Sequence, residues 1–480
     1  MNILSKVIEN VTKNFYQSLN AYELNDLFNY GVVNDFNYYI NMIKLIDDVS
    51  SNFSVDLYRN FLNKVDESFF NSSYRKSFCE IINLPERTLI TFYGEVRFKR
   101  RRYYDKIKKK EFYFVDEVLS LPSYTNFDPF VCAKICEVSS YDSYAKAGRT
   151  VSEMIGNRLK FNNDASRFLI SRAVARNIVL QFNIPDIPYT LKKTPKILYV
   201  MLDEKWVHSQ FNDGKDHMVK AAVVFEDVDL AYKYKKKKDS KNRYKLLGKY
   251  VFASIDDDLP KQVMDYIYYS YNTEEIDEIV FMGDCASWIK TFHQGFKFHP
   301  NMKITVAIDG YHFTQTLQHI CTSKYDYFIP AFKETIKSND KKGFINLCNL
   351  IIEYEPHRLE TVTDKQNYIL NNWKYIQNYF HKVFAKCSME AHISHSFADI
   401  FTSRPRAYSV KGLRQLLKLR LLKVNNIDIQ KTYFDVLNKK FEEKFKVDHT
   451  IFSETVSKVP YGIKELLNCY NYDSRKIMLC

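Results

Sequence analysis

The sequence predicts a multidomain α+β chain. An α/β core is interrupted by an all-helical insertion and preceded by a helical, hairpin and helix-turn-helix-like region. Three observations carry this. An unbroken apolar run, Ile197 to Leu202, opens after Pro195 and ends on Asp203, as a central strand covered on both faces would. Two more strand patterns follow directly, HMVKAAVVFEDVDL and GKYVFASIDDD. Then come a helical stretch, Leu259 to Tyr271, a strand, Glu278 to Met282, leading to Asp284, and a strand, Ile304 to Ile308, ending at Asp309. From Pro330 to about Phe380 the apolar spacing is helical throughout. Three antiparallel strands followed by alternating helix and strand is the ribonuclease-H-like order.

In chain order, residues 1–80 form an N-terminal helical region, with apolar positions three and four apart from Ile3 to Leu19. It reads as a packing or dimerisation region. Residues 81–137 form a basic β-hairpin region. Leu89, Thr91, Tyr93, Val96, Phe98 and Arg100 alternate like strands, Tyr103 to Asp105 open a turn, and EFYFVDEVL begins as a returning strand. This hairpin interleaves Arg97, Lys99, Arg100, Arg101 and Arg102 with Tyr and Phe, a composition suited to a phosphate backbone or to a charge-protected edge. Residues 138–185 read as helix-turn-helix-like, the last helix starting near Ser166 and exposing Arg167, Arg172 and Arg176.

A proline-bearing stretch, QFNIPDIPYTLKKTP, leads into the core. The first part of the core spans 190–329, the helical insertion 330–380, the completion of the core 381–425, and a C-terminal helical tail 426–480. Within the core, Lys235, Lys236, Lys237 and Lys238 head the densest basic run, either a solvated loop or a phosphate contact. SVKGLRQLLKLRLLKV is a basic amphipathic helix carrying Lys411 and Arg414.

Composition narrows the partner and the compartment. The 480 residues carry a net charge of +13, and the pI is near 9.0. That balance favours a polyanionic partner, most often nucleic acid. The nine cysteines are scattered without a CxxC pair, which predicts free thiols in a reducing compartment and no zinc site. No run is long enough for a transmembrane span and the N-terminus is no signal peptide, so the expected location is cytoplasmic and nucleoid-associated, with no membrane partner.

The candidate chemistry lies in carboxylates. Asp203 and Asp284 end two strands, and Glu390 stands in CSMEAHISHSFADIF about 100 residues on. Hard divalent cations, Mg²⁺ or Mn²⁺, bind through a few carboxylates plus substrate phosphate. Two such ions about 4 Å apart activate an attacking oxygen and stabilise a leaving one. Asp309 is a further candidate, with His312 or His392 available to orient a ligand or touch phosphate; Glu353 and Glu355 compete with Glu390.

From Arg87 to Val424 the chain resembles bacterial insertion-sequence transposases of the ISLre group, distant relatives of Mutator-like transposases. The likeness rests on TFYGEVRFKRRRYY with VDEVLSLP, SYAKAGRTVSEMI, LYVMLDEKWV, GDCASWI, AIDGYHFTQ and CSMEAHISHSFADIFTSRPRAYS. The resemblance implies a DDE transposase with Asp203, Asp284 and Glu390 as catalytic and metal-binding triad. It also implies terminal inverted repeats and target DNA as partners, and a homodimer or higher oligomer on DNA. The chain departs from the pattern at several places. Glu204 follows the first Asp and Cys285 the second, each where glycine is usual; Ala391 follows Glu390; and Asp309-Gly310-Tyr311-His312 replaces Asp-Pro-Phe-His. Lost glycines remove backbone freedom.

Overall fold

The computed structural model describes residues 13, 36–121, 125–156, 170–185, 192–210, 216–229, 245–381, 396–397, 401–402 and 407–446. They fall into two compact units, residues 1–185 with 429–480, and residues 186–428.

The first unit opens on a long helix, α1 (Phe36–Phe70), and a short one, α2 (Ser73–Phe78). Five strands follow: β1 (Cys79–Asn83), β2 (Glu86–Thr91), β3 (Gly94–Lys99), β4 (Arg102–Asp105) and β5 (Lys110–Tyr113). β2 and β3 pair as one hairpin; β1, β4 and β5 form a three-stranded antiparallel sheet. Leu62, Val65 and Phe69 of α1 close over Val96, Phe98 and Tyr103 in one core cluster.

The hairpins sit differently from the sequence expectation. Tyr103 to Asp105 are strand, not turn. Tyr103 is fully buried, and the chain reverses only at 106–109. Asp105 closes that reversal by accepting hydrogen bonds from the amides of Ile107 and Lys108 at 2.9 and 3.0 Å. The returning strand is short, and Phe114–Val118 is helix α3.

Three further helices complete the unit with one from the C-terminal end of the chain. They are α4 (Pro129–Ser139), α5 (Tyr144–Ile155) and α6 (Arg172–Gln181). Asp128, Ser143 and Ser171 cap them by accepting from the amide three residues on. The basic helix therefore starts at Arg172 rather than near Ser166, because Ser171 is its cap. Residues 157–169, where the turn of the expected helix-turn-helix falls, lie outside the described residues. A four-residue turn, Ser140 to Ser143, joins α4 to α5.

The second unit is built on a mixed five-stranded sheet. Its strands are β6 (Ile197–Val207), β7 (His217–Phe225), β10 (Tyr250–Ser254), β11 (Glu278–Gly283) and β12 (Lys303–Ile308). A small ribbon, β8 (Asp227–Asp229) with β9 (Lys245–Leu247), lies between β7 and β10 in the chain. The sheet order is β10-β7-β6-β11-β12. β10, β7 and β6 run antiparallel; β6, β11 and β12 run parallel.

Helices α7 (Leu259–Ser270) and α8 (Ser287–Phe292) contribute to a core cluster with Leu198, Val200 and Leu202. These three residues alternate along β6 and so share one face. A second cluster joins Ile308 to α9 (Gly310–Cys321) and to four helices running from Ile329 to His381: α10 (Ile329–Lys337), α11 (Lys341–Tyr354), α12 (Leu359–Asn371) and α13 (Trp373–His381).

The chain then returns as α14 (Val410–Val424), whose buried leucines face inward. Asn425 just beyond it bonds both the amide and the carbonyl of Val251 on β10. The last described helix, α15 (Ile429–Lys446), belongs to the first unit. Its Tyr433 and Phe434 meet Phe182 and Phe130.

Candidate functional site: the ends of the parallel strands

Register places the acids together. Met201 of β6 is opposite Met282 of β11, and Gly283 is opposite Ile308 of β12. Asp203, Asp284 and Asp309 therefore leave the parallel part of the sheet at nearly one level, on three adjacent strands. Crevices at the carboxyl ends of parallel strands are where open α/β sheets bind ligands.

Asp203 is not the last residue of its strand, as its sequence suggested. β6 runs on to Val207 because β7 keeps pairing with it through Val207 opposite His217. Asp203 lies just past the part paired with β11, which ends at Met201.

Gly283 lets β6 and β11 approach. A Cβ there would stand 2.8 Å from the carbonyl oxygen of Leu202 and 2.9 Å from Ile289 Cδ1. The residue after Asp284, Cys285, has φ +67°, in the left-handed region that glycine tolerates best. Its side chain is buried.

Each carboxylate is held by local backbone. Asp203 is 7% exposed, and its Oδ1 accepts from the amide of Glu204 at 2.7 Å. Asp284 Oδ1 accepts from the amide of Ala286 at 2.8 Å. Asp309 caps α9: it is 2% exposed and its Oδ1 accepts from the Tyr311 amide at 3.0 Å. Its other oxygen lies 3.0 Å from His312 Nδ1.

That hydrogen bond holds the His312 imidazolium above the ordinary histidine range. Burial opposes the shift, and the negative charges of Asp309, Asp203 and Asp284 reinforce it. One imidazole thus senses all three aspartates.

Three neighbours had no clear signal in the sequence. Tyr368 of α12 donates its hydroxyl to the backbone carbonyl of Asp284 at 2.5 Å. The Trp288 indole N–H donates to Glu204. Trp206, 54% exposed, stands on the part of β6 that outruns β11. A stacking contact for a nucleobase needs such an accessible ring.

Carboxylate oxygens are the donors that suit a hard divalent cation. Among the described residues, no group of three or more His, Cys, Asp or Glu side chains is spaced to hold a metal ion. Glu390 and His392 lie outside the described residues, as do Arg167 and Lys235 to Lys238. Of the two competitors, Glu355 is engaged by Lys324 and Arg358 within the helical block, and Glu353 sits on the exposed side of α11.

The basic candidates divide. Arg97 and Lys99 are exposed on β3. Arg100 is only 13% exposed, ion-paired with Asp116 and stacked 3.8 Å over the Tyr113 ring. Arg101 is 23% exposed and 2.5 Å from the buried Asp66. These two are tied into their own unit by ion pairs. Arg102 pairs with Glu111 across β4 and β5.

Arg172 is exposed and Arg176 half-buried on α6. On α14, Lys411 is exposed. Arg414 makes a two-pronged bond to Asp256, at 2.8 and 2.7 Å, so much of its charge is already answered. Tyr408, just before α14, pairs with Ser209 beyond the end of β6.

No helix among the described residues is long and apolar enough to cross a membrane. The family model described as "Uncharacterised protein family (UPF0236)" matches residues 40–436. Among similar proteins, "UPF0236 protein TTE0402" of Caldanaerobacter subterraneus subsp. tengcongensis is 24% identical over 415 residues, covering 85% of this chain and 78% of that protein. A second from the same organism, "UPF0236 protein TTE2489", is 23% identical, covering 85% and 83%. A third, 24% identical with 85% and 82% covered, has a name that joins eleven locus designations, from TTE0033 to TTE2212. With most of its length matched by the family model, the chain belongs to the uncharacterised protein family UPF0236.

Proposed function

We propose that this chain is the DDE transposase of an insertion sequence of the ISLre type, acting on DNA through a metal-dependent site at Asp203, Asp284 and Glu390. The observation that carries the reading is the convergence of Asp203, Asp284 and Asp309 at the ends of adjacent parallel strands, with His312 bonded to Asp309. The sheet order supports it. Three antiparallel strands, then two added in parallel with helices between, is the arrangement expected of a ribonuclease-H-like core. The net charge of +13 suits a DNA partner. A similar protein whose one name spans eleven loci of a genome fits a sequence that copies itself.

In this reading Asp203 and Asp284 hold Mg²⁺ or Mn²⁺, as two ions, with Glu390 as the further ligand. When bound, the ions would supply an activated attacking oxygen and charge stabilisation at the leaving one. The protein's own part is placement. β6 carries Asp203, Asp284 follows directly on the end of β11, and the His312 imidazole, when protonated, would offer a counter-charge to a phosphate oxygen. Hydrolysis frees a 3′ hydroxyl at the element end; that hydroxyl then displaces a 3′ oxygen in target DNA. Lys99, Arg172, Arg176 and Lys411 are the cations offered to the DNA backbone, with Arg97, exposed but paired with Glu95 at 2.5 Å, beside them, and the chain working as a dimer or higher assembly on the inverted repeats.

The test is strand joining by purified full-length protein, with Mn²⁺ and a duplex carrying the element's own terminal repeat. Joined product that requires both metal and the repeat is expected. Cleavage without joining would make the protein a structure-specific nuclease. Repeat-specific binding with no metal-dependent chemistry would make it a DNA-binding descendant of a transposase.

A further inference from the structure

Resting on the reading of Asp284 as a metal ligand, we propose that Tyr368 is a positioning residue: through its hydroxyl, the helical block sets the backbone on which the Asp284 carboxylate is mounted. Two independent observations meet here. The Tyr368 hydroxyl donates to the Asp284 carbonyl at 2.5 Å, and the next residue, Cys285, is held at φ +67°.

The ladder hydrogen bonds of β11 stop at Gly283, whose carbonyl accepts from the amide of Asp309 at 2.7 Å. Asp284 is thus the first residue past the sheet, and the sheet does not fix its peptide. On one side its carboxylate bonds the Ala286 amide. On the other its carbonyl points at α12. The peptide joining Asp284 to Cys285 must keep this orientation while Cys285 occupies a conformation that L-residues with a Cβ disfavour.

Two contacts oppose relaxation. The Cys285 side chain is packed in the cluster of the helical block, with Ile308, Phe313 and Ile369. The Tyr368 hydroxyl holds the carbonyl one residue earlier. Burial pushes the Tyr368 phenol well above its ordinary pKa, so it remains a donor throughout the working pH range.

The same block braces the neighbouring strand. Asn378 of α13 donates to the Val306 carbonyl at 2.7 Å, and a Cβ on Gly310 would run into Tyr379. The insertion therefore grips β12 and the exit from β11 together. Within it, Tyr368 is the residue that bonds the main chain of a proposed ligand.

Cysteine at 285 makes the tie necessary. Glycine would adopt the left-handed conformation without penalty and would need no clamp. Loss of the hydroxyl should therefore matter with Cys285 present and matter little once Cys285→Gly has relieved the backbone.

The experiment uses full-length Tyr368→Phe, Cys285→Gly and the double variant, with Asp284→Asn as control. Three quantities are read: Mn²⁺ binding by the loss of the free-ion paramagnetic resonance signal, the Mn²⁺ concentration for half-maximal strand joining, and thermal unfolding. Tyr368→Phe is expected to weaken Mn²⁺ binding by about tenfold, the range seen when an outer contact that orients a ligand is lost. The joining rate at saturating Mn²⁺ should stay within about twofold of wild type. In the Cys285→Gly background the same substitution should cost less than about threefold.

Unchanged Mn²⁺ binding in Tyr368→Phe, or a loss equal in both backgrounds, would overturn the proposal. So would a fall in unfolding temperature with no change in metal dependence, which marks a purely structural tyrosine. Should Asp284→Asn bind Mn²⁺ like wild type, the reading of the site itself fails, a result the tyrosine variants alone would not give.

Discussion

Asp203→Asn and Asp284→Asn are each expected to reduce metal-dependent strand joining by at least about 10³-fold while leaving DNA binding intact. A bound metal supplies several kcal/mol of charge stabilisation in the transition state, and each 1.4 kcal/mol is about tenfold in rate. Asparagine keeps the volume and one oxygen of aspartate but loses its charge. The local bonds support intact folding: Asp203 accepts from the Glu204 amide and Asp284 from the Ala286 amide, bonds that an asparagine amide oxygen can also accept. Glu390→Gln is expected to match them. Asp309→Asn should differ. Asp309 is the cap of α9 and the partner of His312, so its loss should act through imidazole charge and give a smaller defect. The check is joining by each variant at saturating Mn²⁺ beside a gel-shift titration with the same repeat. An Asp284→Asn protein that joins normally would remove Asp284 from the site.

Gly283→Ala is expected to damage the site without removing any functional group. The added Cβ would meet the Leu202 carbonyl oxygen at 2.8 Å, a backbone atom that cannot rotate away, with Ile289 as close on another side. Relief requires β6 and β11 to separate by a few tenths of an ångström just where Asp203 and Asp284 leave them. Such overpacking costs about 1–3 kcal/mol, which for a unit of this size lowers the unfolding temperature by roughly 5 °C. The loss of joining should exceed the loss of stability, since displacing reacting groups by about 1 Å can cost about 10²-fold. Calorimetry and the joining assay at a temperature where the variant is fully folded separate the two. Wild-type joining by folded Gly283→Ala would show that the spacing of the two strands is not part of the site.

The sheet was legible because its strands announce themselves. Ile197–Leu202, Glu278–Met282 and Ile304–Ile308 are apolar runs of strand length, and their ends pointed to Asp203, Asp284 and Asp309. What local pattern misses is pairing at a distance. Glu204, Lys205 and Trp206 look like a polar exit from a strand, yet β7 carries β6 on to Val207. Arg100 and Arg101 look like surface cations, but Asp116 and Asp66 draw them inward, and Asp66 lies 35 residues earlier in the chain. The same limit hid the return of α15 to the first unit, where ring contacts with Phe130 and Phe182 hold it. Tyr368 was invisible for another reason. One of 36 tyrosines, it acts through a backbone carbonyl, and no motif marks such a contact. Cys285 was half-legible: a residue other than glycine after the second Asp hinted at backbone cost, and φ +67° places that cost at this residue.

Everything proposed for this chain requires a divalent cation at Asp203 and Asp284. The most direct measurement replaces that cation with Fe²⁺ in the full-length protein, adds ascorbate and peroxide, and maps where the backbone is cut. Hydroxyl radicals formed at bound iron should cut near residues 203, 284 and 309–312, with a further cut near 390. Excess Mg²⁺ should suppress all of them, and Asp284→Asn should abolish them together. Cuts scattered elsewhere, or cuts at these positions that survive Asp284→Asn, would contradict a shared metal site.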